Sequence, residues 1–201
     1  MNSPPSIASG PGSVCLFGGS FDPVHCGHVA LAEAAYQRLG LDSIVFVPCR
    51  QSPFKVRCPI ASAEERVAML RLAVENLPWA LVSTCELERQ GPSFAWETAQ
   101  HFAGLLPPGT RIFWLLGADQ WVSVDRWARP DLLKQLLSFV VFPRGDIDVT
   151  AKPGFSHTMV EVRHHASSTM IREAVAARRS IHSLVAGKVA EYIAERGLYL
   201  A

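Results

Sequence analysis

No stretch of this 201-residue chain reaches the ~18–20 consecutive apolar residues of a membrane-spanning helix. The opening residues, MNSPPSIASGPG, lack the charged start and apolar run of a signal peptide. An excess of one charge sign is also missing. Nineteen Lys and Arg stand against 18 Asp and Glu, a net of +1. That balance argues against a broad polyanion-binding face, as for DNA, while leaving room for a local positive cluster. Cysteine is sparse and unpatterned. Cys15, Cys26, Cys49, Cys58 and Cys85 form no CxxC pair and no zinc-ligand spacing, so they read as reduced thiols. Two phosphate-binding fingerprints are absent, GxGxxG and GK[ST], which removes the usual NAD-binding and P-loop readings. The expectation is a cytoplasmic protein without membrane or nucleic-acid partners.

What is present is apolar substance: 49% of residues, enough for a sizeable core in one large domain. Residues 1–12, rich in Ser, Pro and Gly, read as a disordered tail and 13–201 as a single domain. Buried strands are expected at 13–19, 43–49, 80–88, 111–119 and 138–145, with a shorter one at 158–164. Helices are expected at 27–39 (closed by Gly40), 62–76 (opened by a Ser62–Glu65 capping box), 93–106 and 131–137. Two more, near 168–179 and 184–196, finish the chain. Alternating strand and helix imply parallel strands joined by crossovers, hence a doubly wound, mainly parallel α/β sheet with C-terminal helices. Such sheets bind ligands beyond the carboxyl ends of their strands.

One junction is unusual: GGSFDPVHCGH, residues 18–28, follows the first strand. Gly18 and Gly19 allow a close backbone approach or a turn with positive φ. The helix that follows offers unpaired amides and a positive dipole end, which suit a phosphate. His25 and His28 add donors for charge that grows in a transition state. They share a helical face if the helix starts as early as Pro23. If it starts at Gly27, the turn must aim them together.

A second stretch, SSTMIR at 167–172, puts three hydroxyls and an arginine at another helix start. Alone, it reads equally as an ordinary N-cap with a solvated arginine. Beside the first motif it suits the outer phosphates of a nucleoside triphosphate. The adjacent pair His164–His165 reads as structural or solvated, since neighbours on extended chain point opposite ways.

HxGH followed by a distal SSTxxR is the signature pair of the HxGH nucleotidyltransferases. Within that superfamily the chain resembles the bacterial nicotinate-nucleotide adenylyltransferases. GPSFAWETAQHF, LLGADQWVSVDRW and VAEYIAERGLY resemble further segments of that group, so the likeness runs from about residue 14 to 200. The chain departs from the group's usual pattern at Ala95, Ala128 and Ala166. It departs again in the loop PCRQSPFK, which keeps Pro53 and Lys55. The resemblance implies a Rossmann-like nucleotidyltransferase fold. It also implies transfer of AMP from ATP to nicotinate mononucleotide, giving deamido-NAD and pyrophosphate in NAD biosynthesis. Mg²⁺ would ride on the triphosphate, with no protein metal site. His28 and His25 would serve the α-phosphate. Gly18, Gly19 and Ser20 would bring amides to the phosphates, and Ser168, Thr169 and Arg172 would hold the β- and γ-phosphates. Asp119 would accept from a ribose hydroxyl, and Arg144 would lie near the adenosine. Lys55 would meet the mononucleotide phosphate, while Phe94, Ala95 and Trp127 would hold the pyridine. Asp119, Lys55 and Arg144 also read as surface residues and Trp127 as core. A homo-oligomer is open. Other acceptors are nicotinamide mononucleotide or phosphopantetheine; a nucleotide sensor and a fragment of a class I aminoacyl-tRNA synthetase are more distant alternatives.

Overall fold

The computed structural model describes residues 11–54, 58–162 and 164–200. Six strands form one sheet: β1 (Ser13–Gly19), β2 (Ser43–Pro48), β3 (Ala80–Val82), β4 (Arg111–Gly117), β5 (Leu137–Phe142) and β6 (His157–Met159). Their order is β3-β2-β1-β4-β5-β6, and every pairing is parallel. β1 therefore sits centrally, with crossovers running outward on either side. The crevice at this reversal is where a doubly wound sheet takes its ligands.

The strands are apolar at successive positions because both faces are covered. Phe17, Phe46, Phe113 and Leu115 point into one core layer. That layer is completed by α1 (Cys26–Leu39), α2 (Ala63–Val74), α7 (Ser168–Ala176) and α8 (Gly187–Arg196). Leu16, Val45, Trp114 and Leu116 point into the other. There α4 (Ala95–Leu105), α5 (Ala118–Trp121) and α6 (Pro130–Leu136) pack.

The helix boundaries follow local chemistry. Ser62 accepts from Glu65 N–H, and the Glu65 carboxylate accepts from Ser62 N–H, the reciprocal capping box. Gly40 ends α1 in the left-handed region, at φ 57°. Several expected spans are corrected. The third strand ends at Val82, not 88. Its polar continuation turns back as the short helix α3 (Cys85–Glu88). β4 ends at Gly117, and Asp119 lies on α5 rather than on the strand. β6 is three residues long, and His164 and His165 lie beyond it with their rings stacked 5.2 Å apart rather than on opposite sides. Extended alternation does not hold where no strand forms.

Candidate active site

The first motif closes β1 and opens α1. Neither Gly18 nor Gly19 has positive φ; their reason is space. A Cβ on Gly18 would lie 3.0 Å from the Trp114 ring, and one on Gly19 2.9 Å from the Phe21 ring. Phe21 itself takes φ 48°, an uncommon conformation for a bulky residue. Its buried ring packs on Phe17, Phe46 and His28, which offsets that backbone cost.

α1 starts at Cys26, between the two starts the sequence allows, with His25 as its N-cap. The turn does the aiming. The rings of His25 and His28 stack, with centroids 3.7 Å apart. His25 N–H donates to His28 Nδ1 at 3.2 Å. A neutral His28 ring thus carries its proton on Nε2. His25 is buried, and burial, aided by the positive fields of His164 and Arg144, lowers its pKa to about 4. At neutral pH it is an uncharged imidazole.

The second motif grips the first. Ser167 caps α7 by accepting from Met170 N–H. Ser168 Oγ donates to the Pro23 carbonyl at 2.9 Å, and Arg172 Nη1 donates to the Asp22 carbonyl at 2.6 Å. Arg172 also reaches Thr169 Oγ1 at 3.2 Å. Residues about 145 positions apart are thereby fixed to one turn. The Asp22 carboxylate locks that turn from below. It accepts from Ile60 N–H at 2.8 Å, Ala61 N–H at 3.1 Å and Tyr199 O–H at 2.8 Å.

Asp119 and Arg144 form an ion pair of 3.0 Å across the ends of β4 and β5. On the other flank a cleft runs beside Gly18, Gly19 and Ser20, with Phe94, Ala95 and Trp127 in its walls. The Trp127 indole N–H is buried and without a hydrogen-bond partner among the described residues. Lys55 lies outside the described residues.

Four wall residues carried no sequence signal that singles them out: Phe54, Glu86, Trp114 and Gln120. Phe54 sits 5.5 Å from the Trp127 ring. Glu86 comes to the cleft through α3, the element the sequence pattern reads as strand. Burial pushes its carboxyl above the ordinary carboxylate range, while Thr98 O–H donates to it at 2.6 Å. Among the described residues no group of three or more His, Cys, Asp or Glu could hold a metal ion, and no helix is long and apolar enough to cross a membrane.

A cytidylyltransferase-like family model matches residues 16–174. A protein of Treponema pallidum named "Probable nicotinate-nucleotide adenylyltransferase" is 39% identical, over 92% of this chain and 98% of its own. One of Methylacidiphilum infernorum with the same name is 35% identical, over 93% and 92%. Among solved structures, Plasmodium falciparum nicotinic acid mononucleotide adenylyltransferase complexed with NaAD superposes with a TM-score of 0.76. It covers 94% of this chain and 97% of its own at 18% identity, a likeness of fold.

Proposed function

Since the chain belongs to the cytidylyltransferase-like family, among relatives named nicotinate-nucleotide adenylyltransferases, we propose that it transfers AMP from MgATP to nicotinate mononucleotide. The observation that carries the reading is the stacked His25–His28 pair at the start of α1, on a turn that Arg172 clamps at the Asp22 carbonyl, beside an aromatic cleft. A phosphate oxygen of the mononucleotide attacks the α-phosphorus of ATP. The bond to the bridging oxygen of the β-phosphate breaks, and pyrophosphate leaves. The attacking phosphate is already largely ionised at neutral pH, so no base is required, and the protein's work is positioning and charge stabilisation.

His28, with its proton on Nε2, donates to the α-phosphate, and His25 lies against it. The start of α1 and the Gly18–Ser20 backbone supply amide donors. Arg172 and Thr169 hold the outer phosphates. Ser168 anchors the loop through the bond its hydroxyl donates to the Pro23 carbonyl, which leaves that hydroxyl no proton for a phosphate oxygen. The Asp119–Arg144 pair serves the nucleoside: Asp119 accepts from a ribose hydroxyl and Arg144 lies by the adenosine. Trp127, Phe94 and Ala95 hold the pyridine, which carries positive charge and suits an aromatic face. Lys55 meets the mononucleotide phosphate. Mg²⁺ carried on the triphosphate would, when bound, neutralise its oxygens. We place this step in cytoplasmic NAD biosynthesis.

The test offers ATP and Mg²⁺ with nicotinate mononucleotide, nicotinamide mononucleotide or phosphopantetheine in separate reactions, reading pyrophosphate release and product mass. Nicotinate mononucleotide is expected to give deamido-NAD at the highest kcat/KM. Preference for either other acceptor overturns the substrate assignment.

A further inference from the structure

Beneath the phosphate loop lies a buried cation that the reaction above does not use. Arg66, on α2, is 2% exposed. None of the ion pairs among the described residues includes it. The neighbouring Glu65 spends its carboxylate on Ser62 N–H, and the solvent-exposed Glu64 reaches Arg66 only through its field, without an ion pair. Arg66 Nε has no hydrogen-bond partner among the described residues. Burying an arginine with no ion-paired carboxylate is costly, and the groups around it must compensate.

What Arg66 does hold is backbone. Its Nη1 donates to the Ser20 carbonyl at 2.7 Å and to the Cys49 carbonyl at 2.9 Å. Cys49 N–H in turn donates to the Gly19 carbonyl at 2.9 Å. The ends of β1 and β2 are thus tied into one closed set. In a planar trans peptide the C=O and the following N–H point opposite ways. Holding the Ser20 carbonyl toward Arg66 turns the following N–H, that of Phe21, away from it, while the Gly19 carbonyl is held toward β2 by Cys49 N–H.

We infer that Arg66 is a positioning residue for the phosphate loop: it fixes the Ser20–Phe21 peptide against the end of β2 and lays a fixed positive charge under the loop, which bound phosphate answers. The inference rests on the adenylyl-transfer reading above.

The test is ATP titration by calorimetry, without acceptor, together with steady-state turnover and thermal melting of Arg66→Gln and Arg66→Lys. Arg66→Gln is expected to lower ATP affinity about tenfold and turnover about 100-fold, with the mononucleotide KM nearly unchanged. Arg66→Lys keeps the charge but not the planar guanidinium, and is expected to lower ATP affinity about three- to fivefold and turnover about tenfold. An Arg66→Gln protein that melts lower yet binds ATP and turns over like wild type overturns the inference, because a purely structural arginine moves Tm alone. If Arg66→Gln does not fold, Arg66→Lys decides. A loss of ATP affinity of about threefold or more at unchanged Tm supports the role, and wild-type values overturn it. The ATP titration needs no acceptor. A wild-type protein that binds ATP but does not adenylylate nicotinate mononucleotide therefore sinks the transfer reading while leaving Arg66 under test.

Discussion

His28 has one ring nitrogen engaged by the His25 amide, so its remaining proton sits on Nε2. Replacing it with alanine removes a donor that matters most when charge builds at the α-phosphorus. His28→Ala is expected to lower kcat by on the order of 10²–10⁴ with a modest change in KM. A normally folded variant with near-full turnover would refute the role. His25 makes a different prediction because it is buried. Its folded pKa is about 4, against about 6.5 in an unfolded chain. Between those values the unfolded chain holds a proton that the folded chain rejects. Stability is therefore flat above about pH 6.5 and falls as the pH drops from there toward 4. Melting curves across pH 4–8 check this, and His25→Asn should flatten part of the fall. Bound triphosphate reverses the sign, since nearby negative charge favours the imidazolium. ATP binding near pH 5.5 should take up protons, measured as a buffer-dependent calorimetric enthalpy.

α8 and the residues after it reach the site through one hydroxyl. Tyr199 donates to the Asp22 carboxylate, and the Asp22 carbonyl holds Arg172. Tyr199→Phe keeps the ring and deletes one bond to a charged acceptor, for an expected loss of about 1.5–3 kcal/mol. In a chain of this size that lowers Tm by very roughly 3–12 °C. An unchanged Tm would show that Asp22 is held adequately by Ile60 and Ala61 alone. At this scale the sequence was readable where one signal dominated. β1, β4 and β5 are unbroken apolar runs, and α2 carries its capping box. The pattern misled at 83–88, where STCELE follows apolar β3 and alternates like a half-buried strand. Glu86 faces a cleft and needs Thr98 and Arg89 around it, and that arrangement is helical. Likewise the ring stacking of His164 and His165 depends on a non-strand backbone that local periodicity does not encode.

Across the whole molecule, the site is a product of strand order. β1 lies between β2 and β4, so the loop after β1, the ion pair at the ends of β4 and β5, and the start of α7 converge at one reversal. The two motifs read as phosphate chemistry from residue type and position, and the structure does set both at helix starts. That they are physically welded, Ser168 to Pro23 and Arg172 to Asp22, was not legible, because it depends on the long return of the chain past β6. Arg66 was silent for the same reason: in the sequence it is one charged residue in an amphipathic helix. The weld has a measurable consequence. A ligand that binds only the folded chain at 100 times its Kd stabilises it by about 2.7 kcal/mol, or very roughly 5–11 °C in Tm here. MgATP should shift the wild-type melt by that much. Arg172→Met removes the tie to the Asp22 carbonyl and, with it, the proposed phosphate contact. Its apo Tm should fall, and at the same ATP concentration its shift should shrink to a small fraction of the wild-type value. Nicotinate mononucleotide, which we propose binds on the other flank of the loop, should still stabilise the variant nearly as well as wild type. If the variant lost both ligand shifts together, Arg172 would be holding the whole site open rather than one triphosphate.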